Sequence, residues 1–144
     1  MDNKVVCSGA LIYAKSTGRI LLLQKASGKH KGTWGLVGGK NTELETAWQG
    51  LQREVLEEIG YNPEFSKVIP LESFISNDNK FNFHTYLCVL DSEFIPHLSS
   101  EHFGWSWSTL ANCPQPLHRG LKHSLLNHII KTKLQTVFDV INLL

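Results

Sequence analysis

Glu54, Glu57 and Glu58 fall at i, i+3 and i+4, with Arg53 directly before them and Glu45 eight positions upstream. On a helix this spacing projects the three carboxylates from one face, where each like-charged pair weakens an isolated helix by roughly 0.2–0.5 kcal/mol. A cation relieves that repulsion. Hard oxygen ligands of this kind suit Mg²⁺ or Mn²⁺ better than zinc. Arg53 stands one turn before Glu57 and can orient its carboxylate as an i, i+4 pair. Glu45, near the helix start, is favoured there by the macrodipole and reads as structural first and as an outer ligand second. Carboxylates and glycines at these spacings are what a site for a metal and a phosphate needs, because a cation neutralises phosphate oxygens that repel an incoming nucleophile.

The elements that must position these groups are well signalled. Thr46 with Gln49 three residues on makes a capping box, Gly60 suits a left-handed helix end, and Pro63 blocks continuation. Between them Ala47, Leu51, Val55 and Ile59 form an apolar stripe on a face other than that of Glu54 and Glu58. Upstream, Val5–Ala14 and Arg19–Lys25 read as a hairpin around Ser16-Thr17-Gly18, and 26–33 as a mobile loop. Trp34 to Gly39 reads as a short strand running into a tight glycine turn. Downstream, a strand within 64–75, broken near Pro70, precedes a longer one over 80–90. A polar loop over 91–103, a last strand over 104–107 and one amphipathic C-terminal helix from His118 complete the chain. Strands on both sides of a helix, closed by another helix, make a single α+β or mixed α/β domain over 1–144.

Composition narrows the class further. The chain has 144 residues, is 42% hydrophobic and 19% charged with a net charge of +1, and so reads as an ordinary globular domain with no bulk electrostatic partner. No apolar run approaches the ~20 residues of a bilayer span, and the first residues lack the pattern of a signal peptide. Cys7, Cys88 and Cys113 are scattered, so reduced thiols and a cytoplasmic location are expected. Lysines and one arginine populate 4–40 without a single acid, whereas glutamates crowd 43–64. Folded side by side, the two segments could grip a polyphosphate through a bridging cation.

The stretch Gly39-x5-Glu45-x7-Arg53-Glu54-Val55-x-Glu57-Glu58-x-Gly60-Tyr61 resembles the Nudix box. A solvated acidic helix would explain the charges but not two glycines and an arginine at these offsets. A Trp-x-Leu-x-Gly-Gly approach and Glu101 six residues before Trp107 extend the resemblance over roughly 5–135. It implies the Nudix α/β/α sandwich around a mixed sheet. It also implies Mg²⁺, with Mn²⁺ as a substitute, held by Glu57, Glu58 and the Gly39 carbonyl. Glu54 becomes the ligand of a second cation or the general base, Arg53 an organiser, and Glu101 an auxiliary acid; His102 beside it could assist, although a lone histidine is more often a surface or structural residue. Lys25 and Lys40 are expected to contact phosphate. Trp34, Phe74, Phe83, Phe103 and Trp105 could stack on a base, although strand aromatics more often serve the core.

By the same resemblance the substrate is a small nucleoside diphosphate derivative. Ile75 and Ser76 stand where relatives specialised for ADP-ribose carry a proline, and 77–79 lack the tyrosine of dinucleoside polyphosphate hydrolases. Nucleoside or deoxynucleoside triphosphates are therefore favoured over ADP-ribose and dinucleoside polyphosphates. Further down stand an RNA 5′ end, for which the basic track is thin, and a non-catalytic sensor. Val37 before the paired glycines, Leu44 ahead of Glu45 and Gly50 within the helix depart from the family pattern; alanine at position 50 would gain about 1 kcal/mol by propensity. Ile141, Leu143 and Leu144 could form a homodimer patch, though packing on the sheet is the expected use.

Overall fold

Apolar and small side chains alternate along Val5–Ala14 so that both faces of the strand can be buried, and this strand, β1, lies at the centre of the sheet. A computed structural model of the chain describes residues 4–144. Beside β1 stand β2 (Arg19–Lys25), β3 (Trp34–Gly35), β4 (Val37–Lys40), β5 (Lys67–Ile75), β6 (Phe81–Leu90) and β7 (His102–Ser108). They form one seven-stranded sheet whose main path runs β3-β2-β1-β6-β5. β1 and β6 are parallel over their full length and the other pairs are antiparallel, so the sheet is mixed. β1 meets β2 only at its C-terminal end, and its N-terminal half pairs with β4 from Cys7 to Ala10.

Helix α1 (Ala47–Ile59) covers one face of the sheet. Its Leu51, Val55 and Ile59 pack with Ala10, Ile12, Leu21 and Trp107, as the apolar stripe predicts. Helices α2 (Arg119–Leu126) and α3 (His128–Leu143) cover the other, where Leu134, Phe138 and Ile141 pack on Leu11, Tyr13 and Leu22. The result is the expected α/β/α sandwich. Full burial of a side chain of this size stabilises by about 1.5–3 kcal/mol.

Three expectations change. The C-terminal segment is two helices, because Asn127 ends α2 and its side chain caps α3 by accepting from the N–H groups of Ile129 and Ile130. The last strand begins at His102 rather than 104, so Phe103 belongs to the sheet and not to the preceding loop. Gly38 and Gly39 do not turn; they pair with Gly9 and Ser8 inside β4. Gly38 has φ +154°, and a Cβ there would stand 2.1 Å from the Ser8 carbonyl oxygen, so glycine allows two strands to approach where no side chain fits. Ile141 packs on the sheet, whereas Leu143 and Leu144 remain exposed. No helix among the described residues is long and apolar enough to cross a membrane.

Candidate active site

The site begins where α1 is pinned to the sheet. The capping box forms as predicted: Thr46 Oγ1 accepts from the Gln49 N–H at 3.2 Å, and Gln49 Oε1 accepts from the Thr46 N–H at 3.0 Å. Asn41 ties this helix start to the strands. Its Nδ2 donates to the Thr46 carbonyl at 2.8 Å, and Ser8 Oγ lies 3.1 Å from its Oδ1 and 3.0 Å from the Ala47 carbonyl. Asn41 lies against Gly50, where an added Cβ would come within 2.4 Å of its Cγ. The glycine that looked like a propensity defect is thus the position through which the clamp passes.

Arg53 organises the acidic face. Its Nε and Nη2 hold Glu45 at 2.7 and 3.1 Å, and Nη1 donates to Glu54 at 3.0 Å and to both oxygens of Glu57 at 3.2 Å. Nη2 also donates to the Lys40 carbonyl at 3.0 Å. The predicted i, i+4 pair with Glu57 is present, within a wider fork that joins helix to strand. These bonds hold the Glu45 carboxyl down to about 2, helped by the Thr42 N–H. Glu45 is therefore an anchor of Arg53, in keeping with its structural reading.

The three box carboxylates occupy different environments. Glu57 is exposed and, among the described residues, is held by Arg53 alone. Glu54 is half-buried on the backbone of Gly39, where a Cβ would sit 2.7 Å from its carboxyl carbon. Burial raises its pKa, opposed by Arg53 and reinforced by the charges of Glu57 and Glu101. Glu58 is not on a solvated face at all. It is 4% exposed, its Oε1 accepts from the Gly38 N–H at 2.6 Å, and its Oε2 stands 3.2 Å from His102 Nε2. Burial pushes its carboxyl up to about 8, with Glu54 and Glu101 adding to the rise and the Gly38 N–H and Lys25 opposing it.

Glu101 is exposed at the entrance to β7, directly before His102, and its charge adds to the rise at both Glu54 and Glu58. Lys25 opposes His102 across the β2–β7 pair and is felt by Glu58. Lys40 gives its carbonyl to Arg53, while its side chain is exposed and influences Cys7, its partner in β1. Phe103 is 61% exposed, with Lys31 Nζ 5.8 Å from its ring centroid. Among the other aromatics considered for stacking, Phe74 lies on the edge strand β5 with Phe81, and Trp34 and Phe83 are partly buried.

The residue pattern does not show the Gly38 N–H at all, and it offers His102 only as an aid to Glu101, not as a partner of Glu58. The Gly38 N–H is a backbone group with no signature of its own. His102 faces Glu58 because Phe103 is an extra residue in the β7 ladder. Gln24 pairs with Gly104, but Lys25 pairs with His102, and this bulge brings His102 to the face that carries Trp105 and Trp107. No motif in the sequence announces such a shift.

The donor set fits a hard divalent cation. Glu54 and Glu58 have raised pKa values because burial and mutual repulsion disfavour their charges, and a cation beside them reverses that balance. Among the described residues no three side chains are already gathered as a metal cluster; Arg53 sits between Glu54 and Glu57 as the resident positive charge.

Comparison with known proteins addresses the family and the fold. A family model for the NUDIX domain matches residues 4–127. Nudix hydrolase 7 of Arabidopsis thaliana is 38% identical over 91 residues, which cover 61% of this chain and 32% of the plant protein. The chain thus matches about a third of that relative's length. A MutT NUDIX hydrolase from Burkholderia pseudomallei superposes with a TM-score of 0.64 at 28% identity, covering 83% of this chain and 94% of the other. The NUDIX domain of Shewanella oneidensis NrtR, solved with ADP ribose, shares the fold with a TM-score of 0.71 at 17% identity, over 93% and 88% of the two chains. By its box, its sandwich and the extent of the family match, this chain belongs to the Nudix family.

Proposed function

We propose that this domain hydrolyses a diphosphate linkage in a small nucleoside diphosphate derivative, with a nucleoside or deoxynucleoside triphosphate as the preferred substrate and Mg²⁺ as cofactor. The observation that carries this reading is the arginine-centred fork: one guanidinium bonds Glu45, Glu54 and Glu57 while Glu58 is held on the Gly38 N–H beside them. A solvated acidic surface has no need of such an arrangement.

In this reading Glu57, Glu58 and the Gly39 carbonyl would hold the cation, with Glu54 as a further ligand or as the base that takes a proton from the attacking water. When bound, the cation supplies neutralisation of the phosphate oxygens. Arg53 touches no reacting atom; it gathers Glu45, Glu54 and Glu57 on one guanidinium and aims them, which supports in-line placement of water and phosphorus. Glu101 approaches from the start of β7 as an auxiliary acid. Lys25 and Lys40 offer charge to the remaining phosphates, and the exposed ring of Phe103 offers a stacking surface for the base. Water adds to one phosphorus, the P–O bond of the anhydride breaks, and the products are a nucleotide and pyrophosphate or an X-phosphate. The preference for triphosphates is supported by the residues at 75–79, which lack the features of the ADP-ribose and dinucleoside polyphosphate classes. A homodimer and a cytoplasmic setting are compatible with this reading and add nothing to it.

The test is incubation with Mg²⁺ and a panel of triphosphates, oxidised triphosphates, ADP-ribose and diadenosine polyphosphates, with products separated by chromatography and Glu57→Gln as control. Turnover of a triphosphate that disappears in the variant is the expected result. Turnover of ADP-ribose alone would reassign the substrate. A folded protein that turns over nothing with Mg²⁺ or Mn²⁺ would overturn the hydrolase reading.

A further inference from the structure

His102 is the described residue whose environment the mechanism leaves unexplained. It is 8% exposed, and its Nδ1 is fully buried with no hydrogen-bond partner. Its Nε2 stands 3.2 Å from Glu58 Oε2. The β7 bulge at Phe103 is what brings the ring there. Were the ladder regular, His102 would share the face of Gly104, Ser106 and Ser108, away from α1. Besides Glu58, the charged groups that act on it are Lys25, across the β2–β7 pair, and Glu101, its chain neighbour.

A buried ring with one orphaned nitrogen is held by its other nitrogen. Oε1 of Glu58 already takes the Gly38 N–H, and Oε2 is left to His102. The Gly38 N–H is a donor on one oxygen and the His102 ring makes an ion-pair contact with the other; a donor on each oxygen would fix the plane of the carboxylate and leave its remaining lone pairs in a defined direction. We propose that His102 is a positioning residue for the cation site: its Nε2–H donates to Glu58 Oε2 and, with the Gly38 N–H, holds Glu58 in the orientation that receives the metal. The inference rests on the hydrolase reading above and assigns the part of the site that lies outside the box. A carboxylate facing a cation can only accept, so the ring must carry its proton on Nε2 and leave Nδ1 bare, which agrees with the absence of a partner there.

The experiment measures Mn²⁺ binding by the electron paramagnetic resonance signal of free Mn²⁺, in the wild type, in His102→Phe and in His102→Gln, without substrate. The phenyl ring keeps the bulk and removes the N–H; the glutamine places an amide N–H near the position of Nε2. The proposal expects Mn²⁺ affinity to fall about tenfold or more in His102→Phe and to be largely restored in His102→Gln. A role in packing alone would leave affinity unchanged in His102→Phe and overturns the proposal. Should His102→Phe fail to fold, the wild type still decides: long-range ¹H–¹⁵N spectra with saturating Mg²⁺ must show the Nε2–H tautomer, and an Nδ1–H tautomer overturns the inference. If the wild type binds no Mn²⁺ and turns over nothing, the hydrolase reading itself fails and the inference falls with it. Wild-type binding with no effect at position 102 sinks the inference alone.

Discussion

The junction of β1, β4 and α1 and the layer formed by α2 and α3 both close the sheet, but by different physics. At the junction, backbones and polar groups approach until no Cβ fits at Gly38 and one at Gly39 or Gly50 would displace Glu54 or Asn41, and Asn41, Ser8 and Arg53 hold the pieces by directed hydrogen bonds. In the C-terminal layer Leu134, Phe138 and Ile141 fill an apolar interface, with Phe138 stacked on Tyr13 at 4.1 Å between ring centroids. Apolar burial is non-directional and tolerates small displacements. Hydrogen bonds and backbone contacts weaken within a few tenths of an ångström. The candidate site lies at the junction, and the difference suits the proposed function: carboxylates that are to hold a cation need their positions set by directional contacts.

The sharpest way to break the contrast is Gly38→Ala. Its backbone conformation and the overlap with the Ser8 carbonyl each cost about 1–3 kcal/mol or more. Together they remove roughly 5 kcal/mol and leave little folded protein in a urea titration. Normal stability in this variant would mean that the strand approach is not as tight as described. In the other region Phe138→Ala is expected to cost about 3–5 kcal/mol by the same titration, while turnover per folded molecule stays as in the wild type. A loss of turnover in the surviving folded fraction would show that the C-terminal layer also sets the site.

Gly50→Ala gives a smaller and more pointed effect. Propensity alone favours alanine by about 1 kcal/mol, but the added methyl group must displace Asn41 from its bonds to Ser8 and Thr46. The expected outcome is destabilisation of about 1–2 kcal/mol, measured by chemical denaturation, with weaker Mn²⁺ binding. Stabilisation would mean that Asn41 is not a clamp. The smallest effect belongs to Leu143→Ser, which is 86% exposed and should change stability by less than ~0.5 kcal/mol. A larger change, or altered sedimentation, would indicate that a second copy covers this end of α3.

The sheet and the box helix were legible because their signals are local. Thr46, Gln49 and Gly60 mark the ends of α1 by their own chemistry, and Leu51, Val55 and Ile59 mark its buried face by period. The break at Asn127 was less visible, since apolar residues recur on both sides of it and only the cap distinguishes two helices from one. Glu58 was grouped with Glu54 on a chemical face because helical spacing places the two together. Which of them is buried depends on β4, whose Gly38 lies twenty residues earlier in the chain.

Residue types and short-range spacing therefore determine that this chain carries a Nudix box, where its helix begins and ends, and that Arg53 faces Glu57. These follow from contacts within one or two helical turns, which a linear string records directly. The burial of Glu58, the need for glycine at position 50 and the inward turn of His102 are set by groups that meet only after folding. Asn41 reaches Gly50 from the segment just after β4, Gly38 reaches Glu58 across the junction, and a bulge in β7 brings His102 to the same carboxylate. Distances between segments far apart in sequence depend on strand register and close backbone approach, and no local pattern encodes either.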